Sequence, residues 1–379
     1  MSGFTGPVRV TLMAGPMIPV PVGSDILSAL DSITVESASG QTQSGFELTF
    51  NLDRGSPLNT LFLLSGGTTV PILRVIIALT VGGATTVLVD GVMTHHELRT
   101  PGPGRTQLVV KGKDLTALMD IIPFTGLPFP AMPEFARAAL ILAKYSVLGC
   151  TPLTIPSFVT DLPLPIDRIP TQQGTDYAYL TQLASDVGWT FYLDPGPTPG
   201  NSVAYWGPEV RIGSPQPALN ADLDAPDNNV SDLNFNFDKE AYELPLVYVQ
   251  LPVVNTPIPI PIPPITPMSP PLGLVPPVPP KTAELKYTAK LNPVTALMAG
   301  MAYAAQHSDA VTATGKLNVA RYGQLLSSRR LVGVRGAGAP FDGLHYVKQV
   351  TTTIKRGDIA QSFSLARAGL LSTVPTVPA

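Results

Sequence analysis

The chain has 379 residues, 44% hydrophobic and only 13% charged, with a net charge of −3. It is long enough for two or three cored domains, but its charge lies well below the globular norm of about 25%, and a surface so poor in charge points to cover by neighbours in a larger object. The pI near 5.8 argues against nucleic acid as a partner, and the single cysteine, Cys150, excludes a disulfide framework and a thiolate metal cage.

The opening MSGFTGPVRVTLMAGPMIPVPVG lacks a basic n-region and is interrupted by Arg9 and by prolines, so it does not read as a signal peptide. VPILRVIIALTVGG is broken by Arg74 and is too short to span a bilayer. The expectation is a soluble chain with no transmembrane segment and no Sec export.

Residues 1–113 read as a first antiparallel β-barrel domain. SGFELTFNLD alternates strictly, with Phe46, Leu48, Phe50 and Leu52 on one face and Glu47, Thr49, Asn51 and Asp53 on the other. PILRVIIALT runs into Gly82-Gly83, a two-residue hairpin signal, and TTVLVDGVMTHHEL returns from it. TQLVVKGKDLTALMD is a strand that turns helical near Asp114. Roughly five to seven short strands with glycine-marked turns imply a small barrel or sandwich.

Residues 114–225 change character and read as an inserted α+β domain. In MPEFARAALILAKYSVLG, Phe135, Ala138, Ala139 and Leu142 recur at helical spacing, with Gly149 as C-cap. A second helix is capped by Thr175-Asp176, carries Tyr177, Leu180, Leu183, Ala184 and Val187 on one stripe, and ends at Gly188. WTFYLDP and NSVAYWGPEVRIG follow as paired strands, with Trp189 and Trp206 in the core.

Residues 226–379 return to β alternation, as a second barrel with a proline-rich insertion at 251–281. Leu233, Phe235 and Phe237 oppose Asp232, Asn234, Asn236 and Asp238. NPVTALMAGMAYAAQHSD is a helix with Pro293 in its first turn. Near the end, Arg356-Gly357-Asp358 sits at a hairpin tip, and Ile359, Phe363 and Leu365 share a face of the returning strand. The fold class is therefore mainly β with an α+β insert, two related antiparallel barrels flanking the smaller domain.

No set of residues carries catalysis. His95-His96-Glu97 is the one metal-like cluster, but neighbouring strand residues point to opposite faces, so the two histidines do not share an ion. Asp222, Asp224, Asp227 and Asp232, with Asn228 and Asn229, fail the calcium-loop order because Pro226 occupies a ligand position; an acidic turn explains them. A glycine hairpin accounts for Arg356-Gly357-Asp358 without adhesion. G-x-S-x-G and G-x-x-x-x-G-K-[ST] are absent, Cys150 has no local histidine signature, and Gly333, Gly336 and Gly338 read as turn residues rather than a dinucleotide loop. The expected catalytic, cofactor-binding and metal sites are none, and no cofactor is expected.

The C-terminal stretch VTATGKLNVARYGQLLSSRRLVGVRGAGAPFDGLHYVKQVTTTIKRGDIAQSFSLAR resembles the phage late control gene D family, the tail-hub proteins at the centre of contractile baseplates. The matching features are Gly315-Lys316-Leu317, the Gly333–Gly338 turn, Gly343-Leu344-His345-Tyr346-Val347, and Gln361-Ser362-Phe363 with Leu365 and Arg367. LVVKGKDLTALMD is similar to the end of that family's first barrel, and QQGTDYAYLTQLASDVGWTFYLD to its middle domain. The resemblance implies a non-enzymatic structural hub of a contractile tail or injection system. Such a hub is a homotrimer joining a six-fold tail tube to a three-fold spike, with other baseplate components as neighbours, assembled in the bacterial cytoplasm into a virion tail or injection particle. Some relatives fuse the hub to a spike or lysozyme domain; here those parts are expected to be separate proteins. The rival readings are a tail-borne cell-wall hydrolase and a carbohydrate- or receptor-binding β protein.

The family does not account for NTPIPIPIPPITPMSPPLGLVPPVPP. It reads as a polyproline-like excursion from within the second barrel, leaving near Leu251 and rejoining near Lys281. Its isoleucine, valine and leucine make it a contact arm, and deletion of residues 255–280 is expected to spare the fold and weaken assembly.

Overall fold

The computed structural model describes residues 8–40, 43–52, 62, 72–102, 105–157, 162–166, 168–221, 227–250, 256–263, 268–278, 281–285, 288 and 293–374. Strands make up 49% of the molecule and helices 17%, so it is mainly β, as the period-2 alternation implies.

In chain order, the first lobe holds β1 (Arg9–Gly15), β2 (Val20–Pro21), α1 (Ser24–Ala29), β3 (Leu30–Ala38), β4 (Gly45–Leu52), β5 (Arg74–Val81), β6 (Ala84–Gly102) and β7 (Arg105–Asp114). The insert follows: α2 (Thr116–Met119), α3 (Glu134–Ala143) extended by a 3₁₀ turn (Lys144–Leu148), β8 (Cys150–Thr154), α4 (Asp176–Asp186), β9 (Thr190–Pro195), β10 (Ser202–Gly207) and β11 (Gln216–Asn220). Then come β12 (Val230–Phe237), β13 (Glu243–Gln250), β14 (Pro257–Pro261), β15 (Gly273–Val275), β16 (Lys281–Leu285), α5 (Pro293–Gln306), β17 (Val311–Asn318), α6 (Val319–Tyr322), β18 (Leu331–Arg335), β19 (Gly343–Lys355), β20 (Asp358–Arg367) and β21 (Leu370–Ser372).

Local chemistry sets most of these elements. In β4, Phe46, Leu48 and Phe50 are buried while Glu47 and Thr49 stay half-exposed. Gly82 and Gly83 both adopt positive φ, 62° and 82°, the backbone that a two-residue hairpin needs. Thr175 caps α4, its hydroxyl accepting from the Ala178 N–H. The stripe of α3 departs from the expected one. Glu134, Arg137, Ala138, Ile141 and Leu142 are buried, while Phe135 and Ala139 sit on its half-buried flank. Arg137 reaches the buried face because its guanidinium donates to the Tyr179 hydroxyl at 2.7 Å.

Both lobes belong to one 13-stranded sheet, with β12–β17–β20–β19–β3–β4–β7–β6–β5–β1–β2 in order and β11 and β18 off this path. The joint is β3 against β19, antiparallel from Ser32↔Lys355 to Ala38↔Gln349. One side of the sheet covers two apolar cores. The first gathers Ile33, Val35, Leu48, Phe50, Val75, Ile77, Leu108 and Val110; the second gathers Leu317, Val332, Val334, Val347, Val350, Phe363 and Leu365. Ile354 and Val319 enter the first core from the C-terminal part of the chain.

The insert builds its own core around Leu142, Leu180, Leu183, Phe191 and the edge-on pair Trp189–Trp206, whose ring centroids are 5.2 Å apart. Its three strands run β8–β10–β9, with β8 parallel and β9 antiparallel to β10.

Two expectations need correction. Gly333 is a strand residue of β18 paired with Leu344, whereas Gly336 and Gly338, with φ of 80° and 90°, do occupy the turn. The proline tract, within its described residues, is not a free arm. Residues 257–261 pair with β13, and 273–275 pair with β21. Ile262 and Leu272 are 6% and 4% exposed. Ile262 packs with Val247, Val249 and Ala296, and Leu272 packs with Leu331 and Tyr346. Deleting 255–280 would therefore remove core side chains, and the structure predicts that the deletion weakens the fold as well as any assembly contact. Isoleucine and leucine between the prolines supply the apolar area that fastens the tract down.

Candidate functional site

In a chain with so little charge, the informative charges are the buried ones, and three arginines carry the junctions between the insert and the two lobes. Arg74, the residue that interrupts the apolar run of β5, forms a two-pronged pair with Asp90 of β6 at 2.7 and 2.6 Å. Its Nη2 also donates to the Leu148 carbonyl at 2.9 Å and the Gly200 carbonyl at 3.2 Å. Both carbonyls belong to the insert, so the guanidinium fork joins it to the first lobe.

Arg211, 4% exposed, is the centre of the second junction. It donates to Asp309 at 2.5 and 2.8 Å and to Glu209 at 2.8 Å. Lys348 of β19 closes the group, 3.2 Å from Asp309 and 3.5 Å from Glu209. The Arg211 backbone N–H donates to Met268 in the proline tract, and its side chain lies over the Tyr346 ring. Two cations and two anions balance here. Burial pushes the Asp309 carboxyl up, but Arg211 and Lys348 outweigh it and hold the group well below the usual carboxylate range.

Arg329 makes the third junction, from a left-handed backbone conformation at φ 62°. It donates to the Ala38 carbonyl at 2.7 and 3.1 Å, to Asp194 of the insert at 3.1 Å, and stacks 4.0 Å over Tyr192. One arginine thus joins the end of β3, the second lobe and β9.

The motif residues of the C-terminal region prove to be packing and pinning groups. Gln361 grips the Leu326 backbone from both sides, accepting from its N–H at 2.8 Å and donating to its carbonyl at 3.1 Å. Arg367, fully buried, donates to the carbonyls of Gly369, Asp342 and Pro340. His345 is also fully buried, its Nδ1 3.3 Å from the Gly343 carbonyl. Burial, with the Arg367 charge beside it, pushes its pKa down to about 3, so the ring is neutral.

Among the described residues, the sequence-flagged groups lie apart from one another or in ordinary structural pairs. His95 lies opposite Lys111 and His96 opposite Val110 on β7, on alternate faces. Glu97 pairs with Arg99. Among the described residues, no three His, Cys, Asp or Glu side chains lie together as a metal site would need. Asp222 and Asp224 lie outside the described residues. Asp232 pairs with Lys316, and Asn229 clips β11 by donating to the Ala218 carbonyl and accepting from the Asn220 N–H. Cys150 is buried, and burial first, then the Asp90 charge, pushes its thiol up to about 11, which makes it a poor nucleophile. A cleft of about 420 Å³ beside the Arg211 group is bounded by Gly188, Trp189, Met301 and Lys348.

What remains is surface. Around the β3–β19 joint the outer face of the sheet is polar. It runs from Thr34 and Glu36 through Thr351 and Thr353 to Ser362 and Ser364, then to Thr314 and Lys316. On the insert, residues 124–129 bond to 170–174, and this ribbon exposes Ile121, Ile122, Phe124, Leu127 and Ile169. No helix among the described residues is long and apolar enough to cross a membrane. Only the tertiary arrangement reveals the junction arginines, although an arginine inside the apolar run at Arg74 was a visible signal.

No protein-family model matches the sequence, and no curated protein sequence matches it. Solved structures do. A tail protein from Neisseria meningitidis MC58 superposes with a TM-score of 0.63 at 15% identity, covering 96% of this chain and 98% of that one. The 43 kDa tail protein of prophage MuSo2 from Shewanella oneidensis gives 0.59 at 13% identity, with 95% and 98% covered. An E. coli component of the type VI secretion system gives 0.55 at 12% identity, with 92% and 78% covered; it is itself described as structurally similar to T4 bacteriophage tail proteins. The chain has the fold of phage tail proteins and of type VI secretion components, the fold that the C-terminal motifs implied.

Proposed function

We propose that the protein is a non-enzymatic structural hub of a contractile phage tail or contractile injection system, a homotrimer that joins the inner tube to the spike. The observation that carries the reading is the likeness of nearly the whole chain, at TM-scores of 0.55 to 0.63, to tail proteins and a secretion-system component. The buried charges fit it: Arg74, Arg211 and Arg329 tie the insert to the two lobes. We place the assembly contacts on the polar outer face of the joined sheet and on the apolar ribbon of the insert, surfaces of the kind that neighbouring subunits cover.

Native mass measurement tests the oligomer, and pull-down against the tube and spike proteins encoded with this chain tests the adaptor role. A trimer that retains both partners is the expected result. A stable monomer with affinity for neither sinks the proposal.

A further inference from the structure

The proline tract contains a strand with an unusual edge. Within PIPIPI, residues 257–261 form β14, the outer strand of a three-stranded sheet ordered β14–β13–β16. The pairs with β13 are Val249↔Ile258, Tyr248↔Pro259, Val247↔Ile260 and Leu246↔Pro261. Along an antiparallel strand, one residue turns both its N–H and its C=O toward the partner, and the next turns both away. The Ile262 N–H donates to the Pro245 carbonyl at 3.0 Å, which settles the parity. Ile258, Ile260 and Ile262 turn toward β13. Pro257, Pro259 and Pro261 turn outward, and proline has no N–H to present there.

The same alternation sorts the side chains. Ile262 packs with Val247, Val249 and Ala296 of α5, and Ile258 and Ile260 stand on that face but remain 43% and 41% exposed. A half-exposed apolar strand at a sheet edge is a template for pairing with another chain when it carries both donors and acceptors. This one carries acceptors alone, and among the described residues no strand pairs with its outer side.

We infer that β14 is a one-sided strand: it completes the β14–β13–β16 sheet and refuses any further strand, whether from a second copy or another partner. The alternation of proline with isoleucine serves both purposes at once, since a period of two governs hydrogen-bond direction and side-chain face alike.

Amide hydrogen exchange on the intact chain tests the parity. The Ile258, Ile260 and Ile262 amides should be protected in the folded protein; open exchange at Ile258 and Ile260 overturns the assignment. Pro259→Val with Pro261→Val then restores two outward N–H groups. The expected outcome by sedimentation is concentration-dependent association beyond the parent's own state, with the new amide at position 259 open in dilute solution and protected in the associated form. A variant that keeps the parent's near-UV circular dichroism and associates no more than the parent overturns the blocking role. The single Pro259→Val change gives the same comparison with less disturbance.

Discussion

Replacing Asp90 with asparagine keeps the side chain's size and removes its charge, leaving Arg74 buried without a counter-ion. Their side chains are only 8% and 1% exposed, and the contacts are 2.7 and 2.6 Å. An exposed pair is worth about 0–1 kcal/mol. Breaking a buried one costs about 3–5 kcal/mol, because the remaining charge is neither solvated nor paired, and the burial here selects the larger figure. The loss should also loosen the insert, since the same guanidinium holds the Leu148 and Gly200 carbonyls. Urea denaturation can follow both effects. Trp189 and Trp206 both lie in the insert core and report it by fluorescence, while far-UV circular dichroism reports the sheet. In Asp90→Asn the fluorescence transition should come earlier than the dichroism transition, with stability lower by about 3–5 kcal/mol. Changing both residues to leucine removes both charges but leaves the Leu148, Gly200 and Met17 carbonyls without this donor, at about 1–3 kcal/mol for each that stays buried; the double variant should be destabilised to a similar extent as the single. Coincident transitions and a loss under about 1 kcal/mol in Asp90→Asn, the range of an exposed pair, would refute the reasoning.

His345 should make stability fall with acid. Its native pKa of about 3 lies below the ordinary 6.5, so the unfolded chain takes up the proton first. Stability is full above pH 6.5 and is lost as the pH falls toward 3, by on the order of 4 kcal/mol if the fold persists so far; denaturation of His345→Phe across this range should show a slope shallower by about one proton. Asp309 adds a loss at lower pH, below the usual carboxylate range, which Asp309→Asn should remove. Leu272→Ala should cost about 2–5 kcal/mol in a thermal or urea melt, because Leu272 is packed against Leu331 and Tyr346; a neutral result would return the tract to the surface. Gly188→Ala should weaken the contact of the insert with α5. An added Cβ would stand 2.6 Å from the Ala302 Cα, at a backbone φ of 72° that alanine disfavours, and a loss of roughly 1–3 kcal/mol is expected in the fluorescence melt.

Much of the secondary structure was legible from periodicity, since alternation and turn chemistry act within a few residues. Phe46, Leu48 and Phe50, the Gly82-Gly83 hairpin and the Thr175 cap all lie where the pattern placed them. Stripe placement on α3 was less legible, because Arg137 and Glu134 enter the interior only when Tyr179 of another helix is there to receive the guanidinium. The proline tract misled for a related reason. Composition marks it as extended and non-helical, as its described strands 257–261 and 273–275 are, but a proline every second residue also fits a one-edged strand, and only β13 beside it decides between the two.

What the amino-acid order determined by itself was local: which residues alternate, where turns fall, and that no short motif of catalysis or metal binding is present. Tertiary structure decided everything that depends on partners distant in the chain. The pairing of β3 with β19 makes one sheet of two lobes, and it joins residues more than 300 positions apart. The few charges became Arg74, Arg211 and Arg329 junctions only because carboxylates and carbonyls from other elements converge on them. Hydrogen-bond parity and charge burial are properties of pairs, and a single strand of sequence records only one member of each.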